Sequence, residues 1–200
     1  MAKKKFYAYL SGGKKGVTDN WKDCEKIVSG VEGARFKSFL TREEAERWLE
    51  AGADYAIKHL ASEKGVYFDA GTGAGKGVEI NVTNEKGKGL LSKVLPREYI
   101  NRNGHHWIFR DITNNFGELL ACKYALQIAL KENVKKVFGD SNLIIESWSK
   151  GHVSRKGILQ ETIDLALEVK RLRNEFEKKG GEICYIPGGS NPADLGFHKD

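Results

Sequence analysis

Two hundred residues are enough for one ordinary domain or for a small domain joined to a medium one. A composition 40% hydrophobic and 30% charged excludes a disordered chain, and no apolar run approaches the ~18–20 residues of a membrane span. The net charge of +6 and a pI near 9.1 point toward a polyanionic partner.

Residues 1–62 carry 12 basic and 9 acidic side chains, half of that net charge in under a third of the length, which suits an accessory nucleic-acid module. The basic start, Met1 to Lys5, leads into no continuous apolar stretch, so no secretory signal is expected. Phe6 to Leu10 reads as a short aromatic strand, and Ser11 to Gly16 as a turn with Lys14 and Lys15 at its tip. Asp19 or Asn20 can cap a helix that carries Trp21, Cys24, Ile27 and Val28 at helical spacing and ends near Gly30. Ala34 to Phe39 reads as a second strand. Thr41-Arg42-Glu43-Glu44 is a capping box opening a helix with Ala45, Trp48 and Leu49 on one side. From the residues alone, the aromatics of this unit read as its core.

Residues 51–63 form an Ala-rich, polar, partly helical linker, so the expected division is 1–50, a linker 51–63, and a second domain over 64–200. In that domain Gly65–Asp69 reads as a strand, Gly71 to Gly75 as a glycine-rich turn, and Gly77–Thr83 as a strand alternating at Val78, Ile80 and Val82. Gly89–Leu95 and His105–Asp111 are expected to pair as further strands. Phe116–Lys131 is a helix, Lys135–Gly139 a short buried strand, and another helix begins near Ser141. Ile158–Lys179 is a long amphipathic helix stopped by Gly180-Gly181, and Glu182–Ile186 is a last strand. Early strands followed by alternating helices and strands give an α/β domain with a mixed sheet. Cys24, Cys122 and Cys184 are scattered and odd in number; they fit neither a disulfide framework nor a zinc site, and a reducing cytoplasm is the expectation.

Four carboxylates stand out. Asp69 follows Val66-Tyr67-Phe68 in a buried strand, Glu118 lies near the start of an apolar helix, Asp140 ends Val137-Phe138-Gly139, and Asp194 sits in Asn191-Pro192-Ala193-Asp194-Leu195. Glu118 also suits the helix macrodipole, while Asp140 and Asp194 could serve as N-caps. Asp69, inside an aromatic-rich strand, has no such alternative. Gathered at one sheet edge, these carboxylates would repel one another unless cations neutralised them. Oxygen-only ligands select Mg²⁺ or Mn²⁺, and two such ions serve phosphoryl transfer.

The strings around these residues resemble those of type 1 ribonucleases H. Thr113-Asn114-Asn115-Phe116-Gly117-Glu118-Leu119 is similar to that family's T-N-N-x-x-E-L signature, and Asp69-Ala70-Gly71, Gly139-Asp140-Ser141 and Ala193-Asp194-Leu195-Gly196 follow its other acidic motifs in order. The resemblance spans about residues 64–200 and implies a five-stranded mixed sheet with flanking helices. It makes Asp69, Glu118, Asp140 and Asp194 the catalytic ligands of two Mg²⁺ ions, with Mn²⁺ as the alternative and Asp69 bridging. It also implies that Asn114, Asn115 and Asn142 meet the groove and ribose 2′-hydroxyls. Thr113 would meet a DNA-strand phosphate and Trp148 the DNA channel. Helix capping is the alternative for the asparagines, and core packing the favoured alternative for Trp148.

Residues 6–50 separately resemble the hybrid-binding, viroplasmin-like domain found ahead of many such enzymes, through Phe6-Tyr7-Ala8, Lys15-Gly16-Val17, Trp21-Lys22-Asp23-Cys24 and Ala34 to Phe39. By position Tyr7, Trp21, Phe36 and Lys37 would contact an RNA–DNA hybrid, with double-stranded RNA a further candidate partner and neither a membrane nor an obligate protein partner expected. The expected activity is hydrolysis of the RNA strand, leaving 5′-phosphate and 3′-hydroxyl ends. The rivals are an inactive viroplasmin-type binding protein and a DNA-cutting enzyme of the integrase or resolvase kind. Two departures from the family pattern stand out. The loop Pro187-Gly188-Gly189-Ser190-Asn191 lacks the His or Glu that many members use for product release, and the segment Lys150 to Lys156 is shorter than a basic protrusion. The N-terminal domain is therefore expected to supply hybrid affinity.

Overall fold

The computed structural model describes residues 5–39, 41–50, 52–53, 63–72, 77–154 and 156–195. Most of the expected linker, Gly73 to Gly75 of the expected turn, Arg155 and Gly196 lie outside the described residues. The chain divides into two compact units, 1–59 and 60–200.

In the first unit, β1 (Phe6–Ser11), β2 (Lys14–Thr18) and β3 (Arg35–Phe39) form an antiparallel sheet in the order β2-β1-β3, with α1 (Trp21–Val28) and α2 (Arg42–Glu50) packed on it. The expected turn over 11–16 shrinks to two residues. Gly12 and Gly13 adopt φ of 56° and 79°, the left-handed pair that a tight hairpin needs, so Lys14 and Lys15 enter the ladder opposite Ser11 and Leu10. Asn20 caps α1 by accepting the Lys22 N–H at 3.0 Å. The capping box at α2 is reciprocal: Thr41 Oγ1 accepts the Glu44 N–H at 3.2 Å, and Glu44 Oε2 accepts the Thr41 N–H at 3.3 Å. Strand alternation sends Phe6, Ala8 and Leu10 to the face where Phe39, Ala45, Trp48 and Leu49 form the core.

The second unit is a mixed sheet in the order β6-β5-β4-β7-β8, built from β4 (Val66–Gly71), β5 (Val78–Asn84), β6 (His106–Ile108), β7 (Lys136–Gly139) and β8 (Glu182–Tyr185). β4 runs antiparallel to β5 and parallel to β7; β5 is antiparallel to β6 and β7 parallel to β8. Helices α3 (Asn114–Glu132), α4 (Asn142–Glu146) and α5 (Gln160–Lys178) complete it. The face bearing Val66, Phe68, Val78, Ile80 and Val82 packs on α3 to make the main core. Gly117 permits the close approach, since a Cβ there would collide with Val78 Cγ1.

Two expected strands are corrected. Gly89–Leu95 makes one bridge, Gly89 with Thr83, and then coils into a 3-10 turn at Leu91–Lys93. Its leucines recur at near-helical spacing, and Leu91 is buried in the core against which Leu90, Val94 and Leu95 pack. His105–Asp111 is strand only over His106–Ile108 and pairs with β5, not with 89–95. The turn before it is fastened instead by Glu79, whose Oε1 lies 2.9 Å from both His105 Nδ1 and Asn101 Nδ2. The parallel pair β4–β7 at the sheet centre sets the ends of both strands side by side, beneath the first turns of α3.

Candidate functional site

Asp69 sits within the wholly buried strand β4, on the face opposite Phe68 and beside Asn81 of β5. Glu118 is the fifth residue of α3, beyond the first turn where the macrodipole acts, and it too is buried. Asp140 follows β7, and the residue capping α4 is Ser141, so N-capping does not account for Asp140. One carboxylate oxygen from each of Asp69, Glu118 and Asp140 lies within 4.8 Å of the others. Asp194 stands outside that group of three, near enough for its charge to act on Asp69.

Asp69 Oδ2 accepts the Leu195 N–H at 2.8 Å, while Asp69 Oδ1 and Glu118 Oε2 are buried without a hydrogen-bond partner. Burial, and then the charges of Asp140 and Asp194, push the Asp69 carboxyl up to about 7; burial, and then the charges of Asp69 and Asp140, push Glu118 up to about 9. Left to itself the cluster takes up protons. A hard divalent cation is the alternative, since it neutralises the charge and gives both partnerless oxygens a ligand role. An all-carboxylate donor set fits Mg²⁺ or Mn²⁺.

The other expected site residues in this unit scatter in role. Thr113 is the N-cap of α3, its Oγ1 accepting the Phe116 N–H at 3.2 Å. Asn114 is half-buried at the first position of α3, Asn115 is exposed beside it, and Asn142 is exposed at the start of α4. Trp148 is a core residue that also lines a pocket with Ile112, Thr113, Phe116 and Leu159.

In the first unit the rings of Tyr7 and Trp21 lie 5.4 Å apart, and those of Trp21 and Phe36 5.5 Å. Trp21 is 37% and Phe36 41% exposed, which corrects the reading of these aromatics as core. Lys37 does not join them. It pairs with Ala8 on the opposite sheet face, where its Nζ lies 5.7 Å from the Phe39 ring centroid.

Two residues escaped the sequence reading. Asn81 and Asn191 are buried and bond the segment around Asp194 to β4 and β5. Asn81 gave no signal, because the alternation of Val78, Ile80 and Val82 makes a polar residue at its position ordinary.

Residues 5–49 match the family model of the Ribonuclease H1 N-terminal domain. Among solved structures, RNase H1 from the halophilic archaeon Halobacterium salinarum is 17% identical, over 65% of this chain and 89% of that one, with a TM-score of 0.42. The N-terminal RNase H domain of Rv2228c from Mycobacterium tuberculosis is 15% identical, over 64% and 84%, with a TM-score of 0.39. LC11-RNase H1, isolated from compost by a metagenomic approach, is 21% identical, over 64% and 86%, with a TM-score of 0.40. Residues 5–49 are thus similar to the ribonuclease H1 N-terminal domain, and they precede the mixed five-stranded α/β unit in the chain.

Proposed function

We propose that this chain is an endonuclease that hydrolyses the RNA strand of RNA–DNA hybrids. The observation that carries the reading is the convergence of Asp69, Glu118 and Asp140, with two buried oxygens lacking partners, in a basic chain with a ribonuclease H1-type N-terminal segment. Asp69, Glu118, Asp140 and Asp194 would hold two Mg²⁺ ions, or Mn²⁺ in their place. Such ions, when bound, supply an activated water and stabilise the leaving oxygen of an in-line displacement, giving 5′-phosphate and 3′-hydroxyl ends.

The protein's part is to position the strand. Asn114, Asn115 and Asn142 read the groove and the 2′-hydroxyls, and Thr113 keeps its O–H proton for a phosphate while its oxygen caps α3. Residues 1–50 act as the hybrid-binding domain, joined by 51–63 to a catalytic domain over 64–200. In the former, Tyr7, Trp21 and Phe36 offer ring faces to sugars or bases. The three cysteines are free thiols, which fits the cytoplasm, and among the described residues no helix is long and apolar enough to cross a membrane.

The test is a substrate panel: hybrid labelled on its RNA strand, double-stranded RNA and double-stranded DNA, each with Mg²⁺. Cleavage of the hybrid RNA strand, with the other two intact, is the expected result. Binding of hybrid without cutting would establish the inactive viroplasmin-type reading instead, and cutting of duplex DNA the integrase or resolvase reading.

A further inference from the structure

The segment bearing Asp194 is held to the sheet by two asparagines that the proposed chemistry does not use. Asn191 is 1% and Asn81 7% exposed. Asn191 Nδ2 donates to the Phe68 carbonyl of β4 at 2.9 Å, and its Oδ1 accepts the Ala193 N–H at 3.0 Å. Asn81 Nδ2 donates to the Ala193 carbonyl at 2.8 Å. These anchors bracket Asp69: Phe68 precedes it in the chain, and Asn81 is its partner across the β4–β5 ladder. On the far side of Asp194, the Leu195 N–H donates to Asp69 itself. The Asp194 N–H is used as well, donating to the Asn191 carbonyl at 3.0 Å. The backbone on both sides of Asp194 is thus tied to the strand pair that carries Asp69.

Asparagine suits this task because its amide is a donor and an acceptor at once and carries no charge. Aspartate would lack the donor and bring another negative charge next to the cluster. Leucine, of similar size, would make none of these bonds to the Phe68 and Ala193 backbone groups. We infer that Asn191 and Asn81 are positioning residues for the cation site, holding the Asn191–Leu195 segment so that Asp194 stands beside the three-carboxylate cluster. This rests on the metal-dependent reading given above. The residues touch neither ion nor substrate; they act through Asp194.

The experiment is a Mn²⁺ titration of the full chain by calorimetry, for the parent, Asn81→Ala, Asn191→Ala, Asp194→Asn and the Asn81→Ala/Asp194→Asn pair. Thermal melts and hybrid binding in EDTA are measured alongside. Each asparagine variant is expected to bind Mn²⁺ about 10-fold more weakly or worse, the range found when groups that orient metal ligands are removed, with hybrid affinity unchanged. In the Asp194→Asn background the loss from Asn81→Ala should largely disappear. Removing one bond, Asn81→Ala carries the test even if Asn191→Ala fails to fold. A folded Asn81→Ala chain with parental Mn²⁺ affinity, or an undiminished loss in the Asp194→Asn background, overturns the inference alone. A parent chain that binds no Mn²⁺ overturns the metal-dependent reading and this inference with it.

Discussion

Asp69 was legible in the sequence because a carboxylate inside an aromatic strand has no cheap structural excuse, and it proves to be buried with one oxygen lacking a partner. Asp69→Asn is expected to lower hybrid cleavage on the order of 10²–10³-fold or more while leaving hybrid binding in EDTA intact, read from initial rates and a binding titration. The cluster also sets a pH dependence. The folded-state values of Asp69, about 7, and Glu118, about 9, exceed the ~4 of an unfolded carboxylate, so the folded chain keeps protons that the unfolded chain releases. Their contribution to stability without cation is therefore fully present below about pH 4 and lost as pH rises toward about 9. Mg²⁺ takes the place of those protons, so its effect on Tm should be small near pH 5 and large near pH 8, about the window those values define. Melting curves in EDTA and in Mg²⁺ across that range check this, and a Mg²⁺ shift independent of pH would contradict it. Lys37, the strand neighbour of Phe36, lies on the other face of the sheet, so a contact from it to hybrid would be made apart from the Tyr7–Trp21–Phe36 rings.

At the scale of elements, strong local signals were readable and weak ones were not. The capping box at Thr41 and the Thr113-started helix carry their own stop and start chemistry. β2 holds one apolar residue, Val17, so nothing in its composition marked a strand; the glycine pair that reverses the chain marked only the turn. Gly89–Leu95 was misread because leucine-rich runs suit a 3-10 turn against a core as well as a strand. The contact between α3 and the sheet is a tight one, and Gly117→Ala tests it. Meeting Val78 and the Ala70 Cβ, the added methyl should cost about 1–3 kcal/mol in chemical denaturation and displace the neighbouring Glu118, lowering cleavage as well.

At the scale of the whole chain, each of the two compact units has its own hydrophobic core among the described residues, and kinetics can test whether binding and cutting are divided between them. Trp21 and Phe36 are exposed and stand outside the Ala8–Phe39–Trp48 core, so the pair Trp21→Ala/Phe36→Ala should fold as the parent does. It is expected to raise KM for hybrid by about 10-fold or more, since stacked bases are worth ~1–3 kcal/mol each, with kcat at saturation unchanged. A fall in kcat alone would place those rings elsewhere in the mechanism. The bond from Leu195 back to Asp69 spans 126 positions. A chain still being synthesised therefore has Asp69, the first of the four candidate site carboxylates, long before the Leu195 N–H that orients it, and polypeptides halted after Ser190 should neither capture Mn²⁺ at parental strength nor cut hybrid. On the proposed reading, competence to cut hybrid thus requires synthesis to have passed Leu195, 126 positions after Asp69 is made.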